Sequence, residues 1–299
     1  MIREENDAFS RCHPCVSFLF FVGAIGLGAL SMHPACILVS VFCSLCYYCL
    51  LKGRLAVRYL RVLIPLFLLI SFMNPLLNTD GERVLGHVFG RPYTLEALIY
   101  GMVIAGLLLS VLVWAGCFTV VMSSDKFTAL FGRIIPAVSL VLVMVLRLVP
   151  NMLKKMRQIA GARKSIGKGA ADNASVGEKA QDSLQVISAL LSWTLEGGLT
   201  TADAMRARGY QTGRRSSFQI YEIKPRDILL LALMGVLIGL DIVMLAGGGC
   251  DASFTPKLSV SPVTGRYAVN FAAYCLFLAL PVVLYIKETI QWTISRSRI

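Results

Sequence analysis

The sequence predicts an all-α integral membrane protein, a bundle of about six transmembrane helices with a basic cytoplasmic insert between the fourth and the fifth. Three observations carry this reading. Of the 299 residues, 56% are hydrophobic and only 15% charged, with a mean hydropathy of +0.70; soluble domains hold about 45–50% apolar and about 25% charged residues. The apolar residues collect into runs close to the ~20 residues that cross a bilayer as a helix. The 29 Lys and Arg residues, against 17 Asp and Glu, gather on one side of those runs.

In chain order, the first span covers about 14–32 within "HPCVSFLFFVGAIGLGALSM". Its apolar stretch is long for a cleaved signal peptide and a second span follows at once, so a retained helix is expected. The second, about 34–51, is "PACILVSVFCSLCYYCLL". The third, about 57–74, contains Pro65 and is expected to kink there. The fourth, about 94–122, is long enough to cross with tilt. The fifth and sixth cover about 227–249 and 267–286. The domain boundaries follow: 1–122, 123–226 and 227–299.

With the N-terminus inside, only Arg83, Arg91, Lys257 and Arg266 fall in outer loops, and the other 25 basic residues lie on the cytoplasmic side. "KGRLAVRYLR" after span two and the tail "IKETIQWTISRSRI" meet the positive-inside rule on their own. Both termini are therefore expected to be cytoplasmic, in the cell membrane. Topology also accounts for most of the net charge of +12, which removes the case for nucleic acid as a partner.

The nine cysteines lie mostly inside apolar runs, where free Cys acts as a small hydrophobe. Cys43, Cys46 and Cys49 share a helix face, but no His or carboxylate joins them, and a bundle face is the simpler reading than a metal site. "CHPC" (Cys12–Cys15) is half a zinc pattern without its other half, and reads as the loop leading into the membrane. His13, His33 and His87 sit near span ends and form no cluster. Asp241 lies in span five close to its outer end, where a water-facing structural role is expected rather than a proton relay.

The insert, 123–226, holds 16 Lys and Arg against 7 Asp and Glu. A bundle needs no such segment for stability, so function is sought here. Ser123, Ser124 and Asp125 offer an N-cap for a short helix. The run Ile134–Leu146, closed by Arg147 and Pro150, reads as a half-buried helix, with a seventh span as the alternative. Asn151 then caps a further helix whose stripe is Met152, Met156, Ile159 and Arg163. "GKGAADNASVGEKAQ" reads as a turn or loose linker. A last helix, about 181–208, presents Thr201, Ala204, Met205 and Arg208 on one face, and Gly209 stops it. Arg214 and Arg215 follow.

Two helices of the insert thus end in an Ala-Arg pair, Ala162-Arg163 and Ala207-Arg208. Cations near a helix C-terminus merely complement its dipole in many proteins, for about 0.3–1 kcal/mol. Their pairing in one basic insert suggests more. An arginine at the tip of a small-residue face can enter a groove on another protein and make bidentate bonds to carboxylates or carbonyls. "GARKSIGKG" (161–169) imitates a phosphate loop but fails it. Gly161 is one residue too far from Gly167, and Gly169 stands where the hydroxyl belongs.

At these residues the chain resembles the transmembrane (T) component of energy-coupling factor transporters, the family that includes cobalt-transport permeases. The stretches that carry the resemblance are "MNPLL…DG…TLEALIYG" (73–101), "SDKFTALFGRIIPAVSLVLVMVLRLVPNM" (124–152), "IAGARKSIG" (159–167) and "ADAMRARGY" (202–210). The resemblance implies a T component that joins a substrate-binding membrane (S) subunit to two ABC-type ATPase subunits. It implies two coupling helices, each ending in an Ala-Arg-Gly-type motif that docks on one ATPase. Here those motifs are Ala162-Arg163-Lys164 and Ala207-Arg208-Gly209, the first departing from the pattern at Lys164, with Gly167 left to end the helix. No cofactor is implied, and a chain without a nucleotide site is expected to hydrolyse no ATP itself. The competing readings are a self-sufficient secondary carrier, for which the spans are poor in charge and show no repeated halves, and a membrane-bound enzyme, for which no constellation of acids, bases or metal ligands is visible.

Overall fold

The computed structural model describes residues 9–78, 81, 83–88, 91–123, 126–127, 129–130, 136–169, 175–210, 212–213, 223–246, 252–253, 259–260 and 265–296. The expected cap at Ser124 and Asp125, and Arg214 and Arg215, lie outside these. In chain order the elements are α1 (Pro14–Leu30), α2 (Pro34–Lys52), α3 (Arg54–Leu77), β1 (Val84–Val88), β2 (Arg91–Thr94), α4 (Leu95–Val121), α5 (Pro136–Ser165), α6 (Val176–Ala207), α7 (Pro225–Ala246), β3 (Ala252–Ser253), β4 (Ser259–Val260) and α8 (Arg266–Arg296). The strands form two short antiparallel hairpins, β1–β2 and β3–β4. The chain divides into two units, residues 1–123 with 221–299, and residues 124–220.

The first unit is a helical bundle with α4 at its centre, against α1, α2 and α3. Sequence explains that position. Ala97, Gly101 and Ala105 are buried at four-residue spacing, a small-residue stripe that lets helices approach closely in lipid. At Gly101 the approach is extreme, since a Cβ there would stand 2.7 Å from the Ser71 carbonyl oxygen and 2.8 Å from Asn74 Cβ on α3. Farther along α4, the bundle core is aromatic. Phe20 stacks its edge on Trp114 (centroids 5.4 Å apart) and lies 5.1 Å from Phe277. The Trp114 indole N–H donates to Ser40 Oγ at 3.1 Å, and Ser40 and Ser110 hydroxyls bond at 2.6 Å, so these three buried polar groups are paired.

Among the described residues, four helices, α2, α3, α4 and α8, are long and apolar enough to cross a membrane. α1 is apolar but has 17 residues, about 26 Å of helix. α7 carries Arg226 and Asp227 in its first turn and Asp241 near its end. α3 continues through Pro65 and Pro75, and exposes Val62, Leu69 and Phe72. Such an apolar outer face suits a hydrocarbon solvent.

Local chemistry sets the element ends. His13 and His33 cap α1 and α2, each Nδ1 accepting the N–H two residues on (3.2 and 3.3 Å), with proline at the first helical position. The "CHPC" stretch is therefore a helix cap. Gly53, at φ 53°, separates α2 from α3 with no further loop. Between α3 and α4 the chain makes the β1–β2 hairpin, which the sequence had suggested only as an outer loop. Buried Glu96 anchors it, accepting the Arg83 N–H at 3.2 Å. α8 runs on to Arg296 through what reads in sequence as a tail.

One expectation is overturned. Asp241 is near the end of α7, but it is buried at 4% exposure and not water-facing. Its helix is covered at that point by α1 and α8.

Replacing Gly101 by alanine should destabilise the bundle by about 1–3 kcal/mol through overpacking. Gly26→Ala, where a Cβ meets nothing within 4 Å, should be neutral or slightly stabilising. Thermal unfolding of the purified chain in detergent distinguishes the two.

Candidate functional site

The unit of residues 124–220 is an antiparallel pair of helices, α5 and α6. Where the sequence suggested two helices meeting at Asn151, there is one, running from Pro136 through Pro150 to Ser165. Asn151 caps nothing, because losing one N–H to proline does not stop a helix that continues on both sides. α6 begins at Val176, five residues before its expected start. The reason is a reciprocal cap. Ser175 Oγ accepts the Glu178 N–H at 3.3 Å, and the Glu178 carboxylate accepts the Ser175 N–H at 2.9 Å.

The face of α5 turned to α6 is Met152, Lys155, Ile159 and Arg163, all half-buried, while Met156 is exposed at 37%. Lys155 takes the place expected for Met156 because its ammonium sits 5.3 Å above the Trp193 ring. On α6, Asp182, Val186, Leu190, Trp193 and Gly197 are the covered positions, at helical spacings of four, four, three and four.

The two helix ends are alike in backbone. In each, a glycine in the left-handed region follows the last residue, Gly167 at φ 72° and Gly209 at φ 77°. Gly167 N–H bonds to Lys164 O (3.2 Å) and Lys168 N–H to Arg163 O (3.0 Å). Gly209 N–H bonds to Arg206 O and Tyr210 N–H to Met205 O, both at 3.0 Å. These are the paired bonds of a Schellman stop.

The arginines within those ends are not alike. Arg208 is the last residue before its glycine. Arg163 stands one turn earlier, at the position that Met205 holds in the second helix, because Lys164 occupies the glycine place and the helix continues to Gly167. Their surroundings differ accordingly. Arg163 is 19% exposed at its side chain. Its Nε donates to Asp182 Oδ1 at 2.9 Å, and Nη2 donates to Lys168 O at 3.1 Å and to Gln185. It braces α5 against α6. Arg208 is exposed and takes part in no ion pair among the described residues. Beside it runs an open trough of about 540 Å³, lined by Thr201, Ala204 and Met205, the face expected from sequence, and by Trp193 and Gly197. Ala162, Lys164 and Ala207 are exposed, and Gly209 is half-buried. The phosphate-loop imitation at 161–169 is the C-terminal turn of α5 and its stop.

Asp182 and Gln185 are the site residues that sequence reading missed. The signal was present in part: Asp182 lies seven residues, about two helical turns, after the Ser175 cap. Only the antiparallel register of the pair brings it to Arg163.

Helices α1 to α4 of the bundle, the inserted pair and both helix ends fall within residues 10–220, over which the chain matches the family of the cobalt transport protein CbiQ. The chain belongs to that family. CbiQ proteins are the T components of energy-coupling factor transporters, so the chain is a membrane component of an ECF-type transport system. No individual curated protein matches it. Within this CbiQ-family chain, the two helix ends at Arg163 and Arg208 are the candidate site, one closed on itself and one open.

The Arg163–Asp182 contact should be worth about 0.2–1 kcal/mol, since both side chains keep some exposure. A double-mutant cycle of Arg163→Ala and Asp182→Ala, read by thermal unfolding, should return that coupling energy. Gly167→Ala and Gly209→Ala should each cost about 1–2 kcal/mol by forcing a Cβ into the left-handed region.

Proposed function

We propose that this chain is the energy-coupling subunit of an ECF-type importer. It joins two ABC-type ATPase subunits to a substrate-binding membrane subunit, takes up a vitamin or a transition-metal ion with them, and hydrolyses no ATP itself. The distribution of basic residues supports a multi-pass chain of the plasma membrane with both termini cytoplasmic.

The observation that carries this reading is Arg208, exposed at the C-cap of a 32-residue helix, on an open trough that it lines with Thr201, Ala204 and Met205. A rod of that length ending in a fork of five donors is suited to enter a groove and engage carboxylates or backbone carbonyls there. The glycine stop ends the rod at once, so nothing of the helix stands beyond the guanidinium. When the ATPases close on nucleotide, grooves that hold such ends move, and the helices move with them. Arg163 serves the same transmission differently. Its bonds to Asp182 and Gln185 make the two helices one lever, and Ala162 and Lys164 remain at its surface as the part that meets the second ATPase.

Arg208→Glu should leave the thermal unfolding of the isolated chain unchanged and weaken assembly with the ATPases by about 100-fold or more, since an uncompensated buried charge costs about 3–5 kcal/mol. Arg163→Glu should lower both stability and assembly. Co-purification of the ATPases, and uptake by cells expressing the whole complex, are the measurements. Unchanged assembly and uptake in both variants would defeat the reading, and so would uptake by the purified chain alone in vesicles.

A further inference from the structure

The membrane bundle buries a charge-bearing group that the coupling role does not use. Asp241 of α7 is 4% exposed, and no protein donor bonds either of its carboxylate oxygens among the described residues. It lines a cavity of about 20 Å³ with Ser31, which caps the C-terminus of α1, Cys36 of α2, and Asn270 and Tyr274 of α8. Ser31 Oγ likewise bonds no protein group. An ionisable side chain at such depth is expensive and by default functional.

We propose that this cavity is a binding site for one alkali-metal cation, held by the Asp241 carboxylate with the Ser31 hydroxyl and the Asn270 side-chain oxygen. Three physical points select that ligand. The first is charge. No Lys, Arg or His lines the cavity, and a lone carboxylate in apolar surroundings is strongly disfavoured. The helix dipoles do not compensate it, because α1 and α7 end at this level while α2 and α8 begin there, so their fields oppose. One carboxylate matches one positive charge; a divalent ion would leave an excess charge buried. The second is ligand type. Carboxylate, hydroxyl and amide oxygens suit hard cations. The third is size. The cavity admits one water-sized sphere, a little above the ~10–15 Å³ needed for one, which is room for a dehydrated alkali cation and not for a hydrated one. A proton would neutralise the carboxyl but leave the cavity unfilled. A water would bond both oxygens and leave the charge.

Leu27 and Leu245 complete the lining. The ionisable groups near Asp241 are Cys36 on α2 and Tyr274 and Cys275 on α8. The site belongs to the bundle alone and is independent of the coupling proposed above.

The test is thermal unfolding of the purified full chain in detergent, titrated with NaCl or KCl against choline chloride at constant ionic strength. One or both alkali salts should raise the midpoint, by about 2–4 °C for each ~1 kcal/mol of linked binding. Asp241→Asn, which keeps the shape and removes the charge, should abolish the alkali-specific shift while unfolding in choline at or above the wild-type midpoint. Ser31→Ala should raise the salt concentration at half-effect several-fold. Equal midpoints in sodium, potassium and choline would overturn the proposal. So would a shift that survives Asp241→Asn, or an Asp241-dependent stabilisation seen only on acidification from about pH 8 to 6, which would make the occupant a proton.

Discussion

Hydrocarbon offers no water to a backbone amide, and the bundle of residues 1–123 and 221–299 is organised by that lack. Helices satisfy their own backbone, so the bundle is built from them, and the hairpins and caps fall at their ends. At several of those ends an orphan group finds a local partner. Imidazoles cap α1 and α2, Glu96 holds the chain entering α4, and a single positive-φ glycine turns α2 into α3. The same constraint reaches side chains. Trp114, Ser40 and Ser110 form a closed polar knot in the core, and the Tyr59 hydroxyl donates to the Leu112 carbonyl at 3.2 Å. Asp241 departs from this rule, and the departure is what gives it meaning.

Packing without a hydrophobic drive between helices depends on close approach. α4 meets α3 most closely at Gly101, where an added Cβ would stand 2.7 Å from the Ser71 carbonyl oxygen. Aromatic rings fill the core farther along α4. One helix thus combines a small-residue seam with a large-residue core, and this explains how it can touch three neighbours at once.

The inserted pair follows the other regime. α5 and α6 expose most of their surface and are joined by contacts of mixed character, an aromatic ring under Lys155 and a carboxylate against Arg163. Such a pair is stiff along each helix and adjustable between them. That combination fits a part that receives motion. The asymmetry of its two ends is the structural novelty: identical glycine stops, with arginines one turn out of step. One guanidinium is spent inside the pair, and the other stays exposed at the helix end.

Much of this was legible in the sequence. Runs of about 20 apolar residues announce spans because backbone satisfaction and bilayer thickness are properties of the chain alone. The basic insert, the small-residue face ending at Arg208 and the stop at Gly209 follow from spacing and from glycine's freedom at positive φ. Ser175 and Glu178 also carried a readable capping signature, hidden in a stretch whose composition suggested a linker. The rest depended on what lies opposite. Whether Arg163 is a free tip or a brace turns on Asp182, 19 residues away and brought near by the antiparallel register. Whether Asp241 meets open water or a small buried cavity turns on α1 and α8, far away in sequence. Local pattern determines which groups are charged and where helices stop; only tertiary packing decides what each charge faces, because electrostatic cost depends on the neighbours that displace water.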